Sequence, residues 1–332
     1  MRIENLTKII EGELLNSPSI TYIDQIRTNP KQVKRGDAFL TVDKQDIDIA
    51  IKNGAYAVIF TGQADIKDSE IAWIRVEDIQ KSVIRYLRFK IVQSGFDVYY
   101  AEDVTYQILK SSVNSKNILF LDEDIISNFI KIINADIDTL FVSNMINFVK
   151  EVNPLYKEIK KCKKNFVEPI KFSLFQMDIV CDDIYHKEIR VPKIFLPYLN
   201  DSINFLKEHG FSYNLPNIKI ESHFDPIFID NEFNIKDFGD TNRVLILESD
   251  KNLIKDEIEY LCKYAKYAKN SALLPRDLGI KAECLETIEF DADFDISILK
   301  GYNSNFFLIN ENREKIIKKL ALYQKEKYKR LF

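Results

Sequence analysis

The chain has 332 residues, 46% of them hydrophobic, with only 9 Gly and 9 Pro. That is enough apolar matter for two or three domain cores, and it excludes a disordered or linker-dominated chain. Its 47 basic and 51 acidic residues are interspersed and sum to −4, without the basic excess that a nucleic-acid binder needs to displace counterions from phosphates.

The start, MRIENLTKIIEGELL, mixes charge with apolar residues and has no signal-peptide core. No apolar run approaches the roughly 20 residues of a membrane helix. A cytoplasmic protein without membrane insertion is expected. Cys162, Cys181, Cys262 and Cys284 are widely spaced with no CxxC pair, which predicts reduced, partly buried thiols.

Ile3, Leu6, Ile9 and Ile10 have helical spacing, with Gly12 as the stop. SITYIDQI reads as a strand. DAFLTV follows as another, entered through the Gly36-Asp37 turn, then the helix DIDIAIKN and the strand AYAVIF. IAWIRV is a strand and DIQKSVIRYLRFKI a helix. Next come the strand FDVYYA, the helix TYQILKSS, the strand NILFLDE, the helix DIISNFIKIIN and the strand DTLFVSN. Strands alternating with helices imply mainly parallel sheets. KEIKKCKKN, residues 157–165, reads as a solvated basic linker or helix end. A mixed region, FSLFQMDIV with EIRVP, precedes the helix DSINFLKEHG. From His223 onward PIFID, RVLILES and NFFLIN read as strands, LIKDEIEYLCKYAKYAK as a helix, and a Lys-rich helix closes the chain. Three α/β portions result: 1–92, 93–222 and 223–332.

Over the first portion, LTKIIEGEL, then Val33, Gly36, Asp37 and Phe39, then Gly54, Ala55, Ala57 and Val58 occur in the order seen in one family. The stretch resembles the N-terminal domain of the Mur ligases, the cytoplasmic enzymes that build the peptidoglycan stem peptide, and in particular the branch that adds D-alanyl-D-alanine. Further on, NILFLDEDIISNFIKIINADIDTLFVSNM is similar to the family's central segment, LPYLNDSINFLKEHGF to the end of its central domain, and PIFIDNEFN to the start of its C-terminal domain. The resemblance implies a small N-terminal β/α domain, a reduced central α/β domain and a C-terminal Rossmann-like α/β domain.

The family's chemistry uses ATP and Mg²⁺ to turn a carboxylate into an acyl phosphate that an amine attacks. Its triphosphate lies in a G-x-x-G-K-[ST] loop, because backbone N–H groups must approach the phosphates and a Lys must neutralise them. Here that place reads FKIVQSGFDVYYAEDVTYQILK, with Gly95 alone and no GK[ST] anywhere in the chain. Bulky Phe96, Tyr99 and Tyr100 are expected where the flexible turn would be. The family's D-S-R substrate motif falls on Asn29, Pro30 and Lys31. Lys lacks the planar fork of Arg, and Pro offers no N–H. The substrate side therefore rests on Asn29, Lys31, Gly36 and Asp37. The family's D-G-H turn is shortened to DKQD, its G-R-H-N element reads YLND, and MINFV follows VSN where a His is usual. Asp122 or Glu123 would hold the place of a metal-linked Glu, although a carboxylate at a strand end is ordinarily a solvated cap.

CDDIYH (181–186) and His223 with Asp225 and Asp230 can be imagined as metal sites. Neither has a second His at helical spacing, so surface or structural roles are expected. His209 before Gly210 fits a helix C-terminus, and DFGDTNR an ordinary turn. The 23 Phe and 16 Tyr read as core and interface, with no basic interleaving for stacked bases. The resulting expectation is a degenerate Mur-ligase-like protein without catalytic residues or cofactor, binding a UDP-muramoyl precursor or a cell-wall biosynthesis protein. Two alternatives stand beside it. One is an active ligase with a rebuilt nucleotide site using ATP and Mg²⁺, around Lys110–Lys116 or DFGDTNR; the other is an unrelated α/β domain fused after residue 92.

Overall fold

A computed structural model describes the chain except Val42, Lys44, Ala292 and Phe332, and only the helical backbone of 327–331. Val42 of DAFLTV and Lys44 of DKQD thus lie outside the described residues. Two units form, Met1–Glu102 with Ser115–Ile159, and Asp103–Asn114 with Lys160–Phe332.

The first unit begins with α1 (Ile3–Ile9), β1 (Glu13–Leu14), β2 (Ile26–Arg27), β3 (Ala38–Leu40), α2 (Gln45–Lys52), β4 (Ala57–Thr61), β5 (Ala72–Val76) and α3 (Ile79–Ser94). The sheet order is β1-β5-β4-β3-β2, parallel throughout except for β1. Phe39, Val58, Ile59, Phe60, Trp73 and Ile74 are buried, as expected of central parallel strands apolar on both faces. Most of SITYIDQI is irregular, a correction to the strand reading. Its backbone is spent on the chain start instead, with Ile3 N–H donating to Thr21 and Ile23 N–H to Met1.

α3 is capped by Asp78, which accepts from Lys81 N–H, and ends at Gly95 in the left-handed region (φ 66°). It buries Ile79, Val83, Leu87 and Ile91, four residues apart. β6 (Asp97–Tyr100), α4 (Asp103–Ser112), β7 (Ile118–Leu121), α5 (Ile125–Ile133), β8 (Leu140–Ser143), α6 (Ile146–Val152) and β9 (Lys157–Glu158) follow. Their parallel sheet has the order β7-β8-β6-β9, and α3 packs against α5 and α6. Phe96 is buried just before β6, and Tyr99 and Tyr100 lie within it. Tyr99 and Tyr100 belong to the strand and Phe96 to its entry, not to the turn after it, and Phe96 and Val98 are part of the core.

The second unit holds α4 and an antiparallel meander, β10 (Val167–Phe172), β11 (Met177–Cys181) and β12 (Ile184–Ile189). α7 (Leu196–Glu208) comes next. β13 (Asp225–Ile229), β14 (Arg243–Leu247), α8 (Ile254–Tyr264), β15 (Asn270–Pro275), β16 (Glu286–Phe290), β17 (Phe306–Ile309) and α9 (Arg313–Leu331) complete it. The last sheet runs β13-β14-β17-β15-β16, parallel except for β13. β15 and β16 were not legible in the sequence: Pro275 ends one, and the other alternates Glu with Thr and Ile at a sheet edge. Cys262 and Cys284 form a disulfide with Cα atoms 5.7 Å apart, while Cys162 and Cys181 are free. This corrects the expectation of four reduced thiols, since the chain after β15 folds back onto the end of α8. Among the described residues, no helix is long and apolar enough to cross a membrane.

Candidate functional site

The residues the sequence singled out in the first unit are largely used by the fold itself. Asn29 caps a 3₁₀ turn (Pro30–Gln32), its Oδ1 accepting from Lys31 N–H at 3.0 Å. Lys31 itself is exposed. Gly36, at φ 104°, donates its N–H to the Gly54 carbonyl at 3.2 Å. Asp37 is buried and accepts from Lys34 N–H at 3.0 Å and from Arg27 Nε at 3.3 Å. The GD turn is thus a device for starting β3. Asp122, after β7, pairs with Lys131 at 2.8 Å and takes part in a loop with Asn128. Glu123 is exposed beside it. Among the described residues, no group of three His, Cys, Asp or Glu could hold a metal ion.

CDDIYH is a hairpin. Asp182 and Asp183 both have positive φ and join the paired Cys181 and Ile184 as a two-residue turn. Asp182 accepts from the Tyr213 hydroxyl at 2.5 Å and pairs with Lys207. His209 ends α7, with Nδ1 2.8 Å from the Phe205 carbonyl. DFGDTNR is the turn into β14, with Gly239 at φ 88°.

After β6 the chain makes a short passage. β6 ends at Tyr100 and α4 begins at Asp103, leaving Ala101 and Glu102 as the whole connection. Ala101 N–H already donates to the Ser143 carbonyl at 2.9 Å. Gly95 lies before the strand, as the cap of α3.

A buried polar cluster lies in the second unit, around His223. The sequence pointed to this residue but not to its partners. His223 is 2% exposed, with Nδ1 2.7 Å from Glu248 Oε1 and Nε2 2.6 Å from Asp103 Oδ2. Both ring nitrogens face carboxylates, so the imidazolium donates from both. Burial alone would lower its pKa, but the bonds to Asp103 and Glu248 prevail and raise it to about 9. Glu248 Oε1 also accepts from Asp250 N–H at 2.6 Å. Behind it is Glu257 on α8, fully buried, and among the described residues neither of its oxygens nor Glu248 Oε2 has a donor. Burial first, then the neighbouring Glu248 charge, raises the Glu257 pKa well above the carboxylate range. That favours the neutral, protonated form of Glu257.

One face of α4 fastens this segment. Asp103, Gln107 and Ser111 are spaced by four residues and so stand in line. Gln107 Oε1 accepts from Glu221 N–H at 2.6 Å, its Nε2 donates to the Glu221 carbonyl at 3.1 Å, and Ser111 Oγ accepts from Lys219 N–H at 3.0 Å. The backbone is strained on both sides of His223, with φ 62° at Ser222 and 45° at the bulky Phe224. A cleft of ≈ 410 Å³ opens beside it, lined in part by Arg190, Lys219, His223, Asp225, Phe238 and Arg313. Asp225 is buried, bonded to Arg313 Nη1 at 2.6 Å. Burial raises its pKa against the pull of Arg313. The Arg190 guanidinium lies 5.1 Å from the Phe238 ring centre. Both His223 nitrogens are already committed, which leaves neither free for proton transfer, and the cleft carries the acids Glu221, Asp225 and Asp237 beside its cations.

No family model and no curated protein matches the sequence. Solved structures do match in fold. MurF from Acinetobacter baumannii aligns over 97% of this chain and 98% of its own, with TM-score 0.53 and 10% identity. MurF ligase from Thermotoga maritima, in complex with ADP, covers 92% and 98%, with TM-score 0.53 and 13% identity. The UDP-N-acetylmuramoylalanyl-D-glutamyl-2,6-diaminopimelate–D-alanyl-D-alanyl ligase of A. baumannii covers 98% of each, with TM-score 0.50 and 11% identity.

Proposed function

We propose that this chain, which has the multidomain α/β fold of MurF-type Mur ligases, is a binding protein of peptidoglycan precursor synthesis that does not perform ATP-dependent ligation. The observation that carries the reading is the two-residue passage from β6 to α4. A triphosphate needs several converging N–H groups and a cation. Here one of the two N–H groups is already bonded to Ser143, and the first residue of α4 is an acid. Asp103 places its own negative charge at the positive end of that helix, where a phosphate would otherwise be stabilised. His223 holds that carboxylate. The residues present do not fit ATP.

What remains is recognition: a UDP-muramoyl precursor or a cell-wall biosynthesis protein is the partner consistent with the fold. Arg190 and Lys219, which line the cleft of the second unit, are cations suited to an anionic precursor. The test is an ADP-release assay on the full chain with ATP–Mg²⁺, UDP-muramoyl tripeptide and D-alanyl-D-alanine, run beside a thermal-shift titration with the precursor alone. No ADP above the protein-free control, with a precursor-dependent rise in Tm, is expected. Precursor-dependent ADP release would overturn the reading.

A further inference from the structure

We propose that Cys262 and Cys284 form a reversible thiol–disulfide clasp holding edge strand β16 and the loop before it onto α8. Among the described residues, edge strand β16 has hydrogen-bonded neighbours on one side only, from β15. The 276–285 loop rests on the core through Leu278, Ile280 and Ala282, all half-buried. The disulfide bridges 22 residues and is the covalent link between this loop and the helix beneath it. Cys284 is exposed and Cys262 half-buried, so a reductant reaches one sulfur first.

The exchange balances with two equivalents of a low-molecular-weight thiol. One thiolate attacks the Cys284 sulfur, and the electron pair of the broken S–S bond goes to the Cys262 sulfur, which takes up a proton. A second thiolate then attacks the mixed disulfide, releasing and protonating Cys284 and forming the small-molecule disulfide. Two electrons have passed to the protein. The loop, freed from α8, then opens more often, because the cross-link no longer limits its excursions.

The experiment uses the full chain equilibrated in glutathione buffers from fully reduced to fully oxidised, with thiol titration and amide hydrogen exchange on each sample. Four thiols are expected in reduced buffer and two in oxidised buffer, Cys162 and Cys181 being free throughout. Exchange over 278–290 and the end of α8 should be roughly tenfold to a hundredfold faster in the reduced protein, with residues 218–238 unchanged. Cys284→Ser, with three thiols, should show the fast exchange of the reduced protein in every buffer. Four thiols in oxidised buffer, pairing through Cys162, a bond that resists native-state reduction, or redox-independent exchange in this region would each overturn the proposal.

Discussion

At the scale of single residues, His223 gives the fold a pH dependence of definite sign. Its pKa is about 9 in the folded chain and near 6.5 when unfolded. The folded state therefore binds the extra proton between those values. The resulting stabilisation is complete below pH 6.5 and is lost as pH rises through 9. Denaturant unfolding at pH 6.5 and 9.5 should differ by on the order of 3 kcal/mol, and His223→Gln should flatten most of that slope. Glu257 acts in the same direction at lower pH: its raised pKa favours folding while protonated and opposes it once pH exceeds the unfolded value. Glu257→Gln should accordingly be more stable than the parent at pH 8, as denaturant unfolding of the two would show. The two glycines of the N-terminal motif make a second contrast. A Cβ on Gly54 would meet the Arg35 backbone at 3.0 Å, while one on Gly36 would meet the Asp24 carboxylate, a movable side-chain end. Both positions have positive φ, so both alanine variants are strained, but Gly54→Ala should lose more stability, by about 1 kcal/mol beyond Gly36→Ala. Paired melts would check the order.

At the scale of elements, α4 and α7 act as polar fasteners. Asn200 on α7 accepts from Phe166 N–H at 2.8 Å and Val167 N–H at 3.2 Å, which fixes the start of β10. Asn200→Ala strands those donors and should cost about 1–3 kcal/mol, with faster amide exchange confined to β10 as the measured signature. Long elements with local signals were legible beforehand. α3 declared itself through the apolar spacing of Ile79, Val83, Leu87 and Ile91, and β4 through the apolar run after Gly54-Ala55, whereas Gly95 stood out only as the lone glycine near the place of the phosphate loop and proves to be the cap of α3. Elements that depend on distant partners were not. β16 is a charged edge strand that exists because β15 is there to pair with it. SITYIDQI has strand-like residues, but the N-terminus claims its hydrogen-bonding groups.

At the scale of the whole molecule, the same division holds between fold and site. The family resemblance rested on short-range motifs, Gly36-Asp37 and Gly54-Ala55, whose structural purpose is the tight junction of two turns. Those motifs predict architecture well because backbone geometry demands those residues. The substrate roles expected of Asn29, Lys31, Gly36 and Asp37 have a different basis, and three of the four already serve the turn itself. His223 stood out in the sequence, yet Asp103 lies 120 positions away and Glu248 lies 25. No periodicity or spacing links residues that only the fold brings together. The disulfide was invisible for the same reason.

The central claim is that the chain has the Mur-ligase fold and no seat for a triphosphate after β6. Its most direct test is a titration of the full chain with ATP–Mg²⁺ followed by thermal unfolding. At a nucleotide concentration a hundred times Kd, a bound ligand would add about 2.7 kcal/mol, a shift readily seen for a protein of this size. An unchanged Tm up to millimolar ATP–Mg²⁺ is predicted. A saturable rise that Asp103→Asn strengthens would contradict the claim, since it would mean a phosphate lies at the start of α4.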